Sequence, residues 1–250
     1  MENQKCPDCG GRGIILRDDK TASVCACTGR TRLANLVNAS HMTENLRKKS
    51  FQNFSLGYYS RTQKDPYNEK THFEIAVKAL ETCKIFCREC LGEKNPRGLY
   101  LFGQVGSGKT HLACSIANEL IKGGIEVLFM VVPDYLDEIK HSWEQGSDHK
   151  EKEILDRARE VAVLVMDDLG AHSYSEWTKS KIYSVINHRI NKSLPTVITS
   201  NLEYLEIGNY LDYRISSRIT ELCKPVIILV DKNEDIRLQK LIESTQRQMV

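Results

Sequence analysis

The stretch that most constrains this chain is Gly103-Gln104-Val105-Gly106-Ser107-Gly108-Lys109-Thr110, set between the apolar run Leu99-Tyr100-Leu101-Phe102 and the helical pattern from Leu112 to Ala117. The order is strand, glycine loop, helix. Glycines at the ends and in the middle let the backbone fold into a nest whose N–H groups surround a phosphate chain, and the helix N-terminus adds its partial positive charge. Lys109 is then placed to reach the β- and γ-phosphates, and the Thr110 hydroxyl to hold Mg²⁺. A chance glycine-rich turn rarely carries the full GxxxxGKT pattern in this setting, so nucleoside triphosphate binding is expected.

The 250 residues are 41% hydrophobic and 27% charged, enough for one sizeable core and a small appendage. A net charge of only +2 leaves nucleic-acid contact to local patches. The start of the chain has no apolar signal segment, and no later apolar run is long enough to span a bilayer, so a cytoplasmic location without membrane attachment is expected. Nine cysteines in that compartment argue for metal ligands or buried thiols over a disulfide framework.

Cys6-Pro7-Asp8-Cys9-Gly10-Gly11-Arg12-Gly13 and Cys25-Ala26-Cys27 supply two close thiol pairs, the donor set of a closed tetrahedral zinc site. The glycines of the first pair permit a turn that aims backbone N–H groups at sulfur. The second pair is tighter than the usual Cys-x-x-Cys, and four unmetallated thiols in a flexible arm are the alternative. Residues 28 to about 55, with Arg30, Arg32, Arg47, Lys48 and Lys49, read as a solvated tether, the alternative being that these basic residues touch phosphates. From Thr71 a helix is signalled by the capping box Thr71-x-x-Glu74 and by Phe73, Ala76, Val77, Leu80 and Cys83 at helical spacing. Cys83, Cys87 and Cys90 share one face of it, where thiols pack as small apolar groups more readily than they bind a second metal.

Beyond the loop, the helix ends at Gly123-Gly124, a buried strand follows over 126–132, and Pro133-Asp134 starts a helix whose Trp143 belongs to an apolar stripe. The continuous apolar run Val161 to Met166 ends in Asp167-Asp168. Such a run suits a central parallel strand, and acids at its C-terminal end fall where open α/β sheets bind ligands. Asp167 is the expected anchor for Mg²⁺, and Asp168 the group that orients or deprotonates the attacking water. A fourth strand, Thr196 to Ser200, finishes at Asn201, suited to holding that water or sensing the γ-phosphate. Arg214-Ile215-Ser216-Ser217-Arg218 sets two arginines on one helix face; one is placed to reach a neighbouring subunit's γ-phosphate. A fifth strand is expected over 226–230. Ser173-x-x-Glu176 caps a helix with an Ile182, Val185, Ile186, Ile190 core stripe; Trp177, Lys181, Ser184 and His188 fall on its opposite face. That face is expected either to line a single-stranded DNA path or subunit contact, or to be covered by a neighbouring loop.

Gly103 to Thr110 with His111-Leu112-Ala113, Asp167-Asp168-Leu169-Gly170, Thr199-Ser200-Asn201 and Arg214 to Arg218 together resemble the AAA+ ATPases of the DnaC/DnaI helicase-loader family. The related IstB transposition ATPases share most of these motifs. The similarity covers roughly residues 51–230, including the entry segment Lys49-Ser50-Phe51-Gln52-Asn53-Phe54. It implies an α/β fold: a P-loop AAA+ core with a five-stranded parallel sheet in the order 5-1-4-3-2, preceded by a small zinc arm. It also implies ATP and Mg²⁺ at the loop, His111 included, and homo-oligomers in the ATP state. Lys109, Thr110, Asp167 and Asp168 then take Walker A and B roles, Asn201 resembles sensor 1, Arg218 the arginine finger and Arg214 a second box arginine. Two departures stand out: Asp168 replaces the commoner Glu, and only about twenty residues follow the fifth strand, too few for the usual helical lid. Arg237 in Asn233-Glu234-Asp235-Ile236-Arg237 is a candidate to replace one lid contact.

The division expected is residues 1–50 as the four-cysteine zinc-binding arm and linker, a helicase adaptor, and 51–250 as the ATPase domain. The leading expectation is an ATP-hydrolysing loader of a replicative DnaB-type helicase onto single-stranded DNA. An IstB-like partner of a transposase on duplex DNA is second, and a small-molecule P-loop kinase third; the kinase leaves Asn201, Arg218 and the cysteine arm unexplained.

Overall fold

Five short apolar runs pair side by side, all parallel, in a computed structural model that describes residues 6–10, 12–16, 21–144, 148–171, 174–230 and 235–248. A two-stranded antiparallel hairpin, β1 (Ile14–Leu16) and β2 (Ala22–Val24), opens the chain. Helices α1 (Cys27–Ala39), α2 (Glu44–Arg47) and α3 (His72–Leu91) lead to the sheet. Its strands are β3 (Gly98–Phe102), β4 (Val127–Val131), β5 (Val163–Leu169), β6 (Thr196–Ser200) and β7 (Cys223–Ile227), in spatial order β4-β5-β6-β3-β7. Counted from the phosphate-loop strand, that order is the expected 5-1-4-3-2. The intervening helices are α4 (Lys109–Lys122), α5 (Val132–Glu144), α6 (Asp148–Glu160), α7 (Glu176–Asn191), α8 (Ile207–Tyr210) and α9 (Tyr213–Leu222), with α10 (Ile236–Gln248) last.

Period-two alternation sorts the strand residues between two cores. Leu99, Leu101, Phe129, Val165 and Val197 join α3 and α4 on one face, while Tyr100, Leu128, Met130, Leu164 and Ile198 join the cluster of α5, α6, α7 and α9 on the other. Both faces are covered, which is why these strands are apolar throughout and not alternating. Cys83, Cys87 and Cys90 lie buried in the first cluster, as core packing predicted. The Thr71–Glu74 capping box forms, with the Glu74 amide donating to Thr71 Oγ1 at 3.2 Å.

Four expectations need correction. The stretch read as a tether is helical over Cys27–Ala39 and Glu44–Arg47; Ser40 and Met42 are buried, and the Ser40 carbonyl accepts from the Phe129 amide at 2.9 Å. The fifth strand starts three residues earlier than expected, with Pro225 tolerated because β7 is a sheet edge. Helix α7 is capped by Ser175, which accepts from the Thr178 amide; Ser173 and the side chain of Trp143 lie outside the described residues. The polar face of α7 is not open: α6 covers it. Lys181 pairs with Glu151 and lies over the Trp177 ring, Ser184 accepts from Arg159 at 2.7 Å, and His188 Nε2 is 2.7 Å from Glu160. Trp177 is half-buried against the second core, so its chain covers it and the DNA-path reading of that face is withdrawn.

One buried cation went unnoticed in the sequence. Arg189 is fully buried and donates to Thr196 Oγ1 and to the carbonyls of Ala158, Arg159, Val161 and Pro195, at 2.8 to 3.2 Å. Three of those carbonyls belong to the end of α6 and the residue just after it, where the helix dipole favours positive charge. Burial still lowers its pKa to about 9.

Candidate functional site

The loop after β3 holds its shape through glycine. A Cβ on Gly103 would sit 1.9 Å from the Ile228 carbonyl, and Gly108, at φ +95, is the left-handed N-cap of α4. Lys109 Nζ donates to the carbonyls of Gly103 (2.9 Å) and Gln104 (2.7 Å), placing the ammonium inside the loop. It is almost wholly buried, and desolvation drops its pKa to about 8. Gln104 Oε1 accepts from the Val230 amide, and Val105 is exposed at the loop tip.

Thr110 Oγ1 donates to Asp167 Oδ1 at 3.0 Å, and Thr199 Oγ1 donates to the same oxygen at 2.6 Å. Burial raises the Asp167 pKa, opposed by these hydrogen bonds. A hydroxyl and a carboxylate oxygen from adjacent elements are hard donors of the type Mg²⁺ takes, with water or phosphate oxygens completing the shell. The neighbouring Asp168 adopts φ +59 where β5 slips register against β6, and its amide donates to Thr199 Oγ1 at 2.9 Å. That conformation is strained for a residue with a side chain, and Asp168 lines the same cavity as Lys109 and Thr110.

The cavity measures about 310 Å³ and brings together the loop, Asp168, Asn201, Arg237 and two lysines, Lys49 and Lys240. Lys49 comes from the stretch that read as a tether, and Lys240, in a short tail, was not singled out in the sequence. His111 also lines the cavity, but its Nε2 donates to the Ser50 carbonyl at 3.0 Å and its ring meets Phe54 edge-on, so it ties the entry segment to α4. Burial lowers its pKa. Among the described residues after the fifth strand, Ile236–Gln248 form α10, and a Cβ on Gly106 would come within 2.1 Å of the Asp235 carboxylate just before it.

Arg214 and Arg218 do not enter this cavity. Both ride α9, Arg214 paired with Asp212 at 3.1 Å and Arg218 with Glu221 at 2.7 Å. Arg214 keeps 79% of its side-chain surface and Arg218 39%.

Upstream of α1 the Sγ atoms of Cys6, Cys9, Cys25 and Cys27 all lie within 4.8 Å of one another. The short Cys25-x-Cys27 spacing works because Cys25 closes the hairpin and Cys27 begins α1. The Gly13 amide donates to Cys9 Sγ at 3.3 Å, the knuckle contact the glycines predicted. Zn–S bonds of about 2.3 Å in a tetrahedron separate sulfurs by about 3.8 Å; Cys6–Cys25 and Cys9–Cys27 stand at 3.7 and 3.3 Å. The cluster fits zinc. Among the described residues no helix is long and apolar enough to cross a membrane.

The chain matches the family model for IstB-like ATP-binding proteins over residues 72–244. Protein YqaM of Bacillus subtilis is 33% identical over 218 residues, covering 85% of this chain and 64% of that protein. The replicative helicase loader DnaI of the same organism is 32% identical over 143 residues, 52% of this chain and 45% of the loader; the match thus spans less than two thirds of either relative. A crystal structure of DnaI superposes with a TM-score of 0.62 at 30% identity, covering 75% of this chain and 95% of the crystallised one. Because the family model takes in the phosphate loop, both strand-end acids and α9, the chain belongs to the IstB-like ATP-binding proteins of the DnaC-type AAA+ family.

Proposed function

We propose that this protein is an ATP-driven loader that delivers a DnaB-type replicative helicase onto single-stranded DNA in the cytoplasm, hydrolysing ATP at sites shared between neighbouring copies. Residues 1–50 form the zinc-bearing adaptor for the helicase, and 51–250 the ATPase. The reading is supported above all by one separation: Lys109, Asp168 and Asn201 share a cavity, whereas Arg214 and Arg218 are displayed outside it on α9. A second copy supplies what the first lacks.

Gly103 to Gly108 bind the phosphates through backbone N–H groups, and Lys109 pairs with the β- and γ-oxygens. Thr110 and Asp167 would hold Mg²⁺, which draws charge off those oxygens when bound. Asn201 hydrogen-bonds the attacking water, and Asp168 takes its proton as oxygen bonds to the γ-phosphorus and the bond to the β-bridging oxygen breaks, releasing ADP. Arg218 of the adjoining copy faces the charge that develops, a contribution of about 10³ to 10⁵ in rate where such arginines act.

The deciding experiment measures turnover against protein concentration for wild type and Arg218→Ala, together with co-purification of the host helicase in ATP. Turnover that rises with assembly and falls in the variant, with helicase recovered, supports the proposal. Recovery of a transposase in place of the helicase favours the IstB-like role, which the family match supports but which leaves the cysteine hairpin without a task.

A further inference from the structure

Resting on the nucleotide-site reading above, we propose that Lys49 is a γ-phosphate ligand, and that through it the bound triphosphate grips the segment joining the cysteine arm to the ATPase core. Lys49 belongs to none of the phosphate-site motifs, yet its side chain lines the cavity beside Thr110 and Asp168.

The backbone around it is fixed from α4. Asn118 Nδ2 donates to the carbonyls of Leu46 (3.1 Å) and Lys49 (2.7 Å), and His111 Nε2 to that of Ser50 (3.0 Å). With its main chain held on both sides, Lys49 is fixed in place at the wall of the cavity it lines. The preceding residue behaves differently: Lys48 is exposed and pairs with Glu44 at 3.0 Å. No described side chain forms an ion pair or hydrogen bond with the Lys49 ammonium, so a phosphate oxygen gains a charge-assisted contact there without displacing a protein partner.

The consequence is regulatory. ADP lacks the group Lys49 meets, so ATP adds to the hold that α4 already has on the 46–50 segment and hydrolysis removes that addition; α1 and α2 lie directly upstream.

The test uses the full chain, with ATP and ADP affinities measured by calorimetry for wild type, Lys49→Gln, Lys49→Arg and, as a charge-matched neighbour, Lys48→Gln. Expected is a loss of about tenfold or more in ATP affinity for Lys49→Gln, ADP changing by less than about twofold, recovery in Lys49→Arg and no effect of Lys48→Gln. Amide exchange over residues 40–50 should slow with ATP in wild type and not in Lys49→Gln. Equal ATP affinity in Lys49→Gln, or parallel losses for ATP and ADP, overturns the assignment. A wild-type chain that binds neither nucleotide overturns the site reading itself.

Discussion

Tyr59 donates its phenolic hydrogen to the Ser107 carbonyl at 2.8 Å, fastening the segment that precedes α3 to the buried end of the phosphate loop beside α4. The phenol is buried, which raises its pKa, and Phe54 packs beside it against Gly108. The loop is therefore braced from outside the motif that defines it.

Removing that brace should be measurable. Tyr59→Phe leaves the Ser107 carbonyl without its donor in a buried setting, a cost of about 1–3 kcal/mol. Denaturant titration should show the loss in stability, and ATP affinity should fall with it because the loop loses definition.

Nucleotide binding should take up protons near pH 8. Burial lowers the Lys109 pKa from 10.5 to about 8, so the ammonium is half-deprotonated there before phosphate restores its charge. Calorimetry in buffers of different ionisation enthalpy should give about half a proton taken up at pH 8, and affinity should decline as pH rises further. The folded value lies below the unfolded one, so the stability this group contributes is complete above pH 10.5 and lost as pH falls through about 8.

Arg189→Met should destabilise the core by about 3 kcal/mol or more, since Thr196 and four carbonyls lose their donor inside the protein. Chemical denaturation reads the loss. Under native conditions ATP affinity should hold, because Arg189 does not line the cavity.

The purified chain should carry one zinc, measured by elemental analysis, and Cys9→Ser should lose it. Contacts among the thiols push the Cys27 pKa up to about 12, opposing the thiolate form that a metal requires and stabilises. Chelation should unfold the hairpin while ATP binding persists, because the two main cores draw nothing from β1 or β2.

Much of the architecture was legible because it is written in local pattern. Continuous apolar runs marked the strands, the glycine loop fixed the first crossover, and the strand-end acids fell where a parallel sheet gathers its ligands. What escaped is what depends on long-range packing. Helical spacing placed Trp177 and Lys181 on one face of α7 without telling that α6, with Glu151, lies across it. Arg189 went unnoticed because most of its acceptors are backbone carbonyls, which carry no side-chain signature. Tyr59 was hidden for a related reason: its partner Ser107 lies 48 residues away, and only the wrapped entry segment brings it, with Lys49, to the loop.

Cys27 is at once the fourth thiol of the N-terminal cluster and the first residue of α1, which rests on α4 and β4. The thiol cluster and the nucleotide-binding core are therefore joined through one continuous helix, whose contacts with α4 and β4 are the route by which a displacement of the cluster would reach the core.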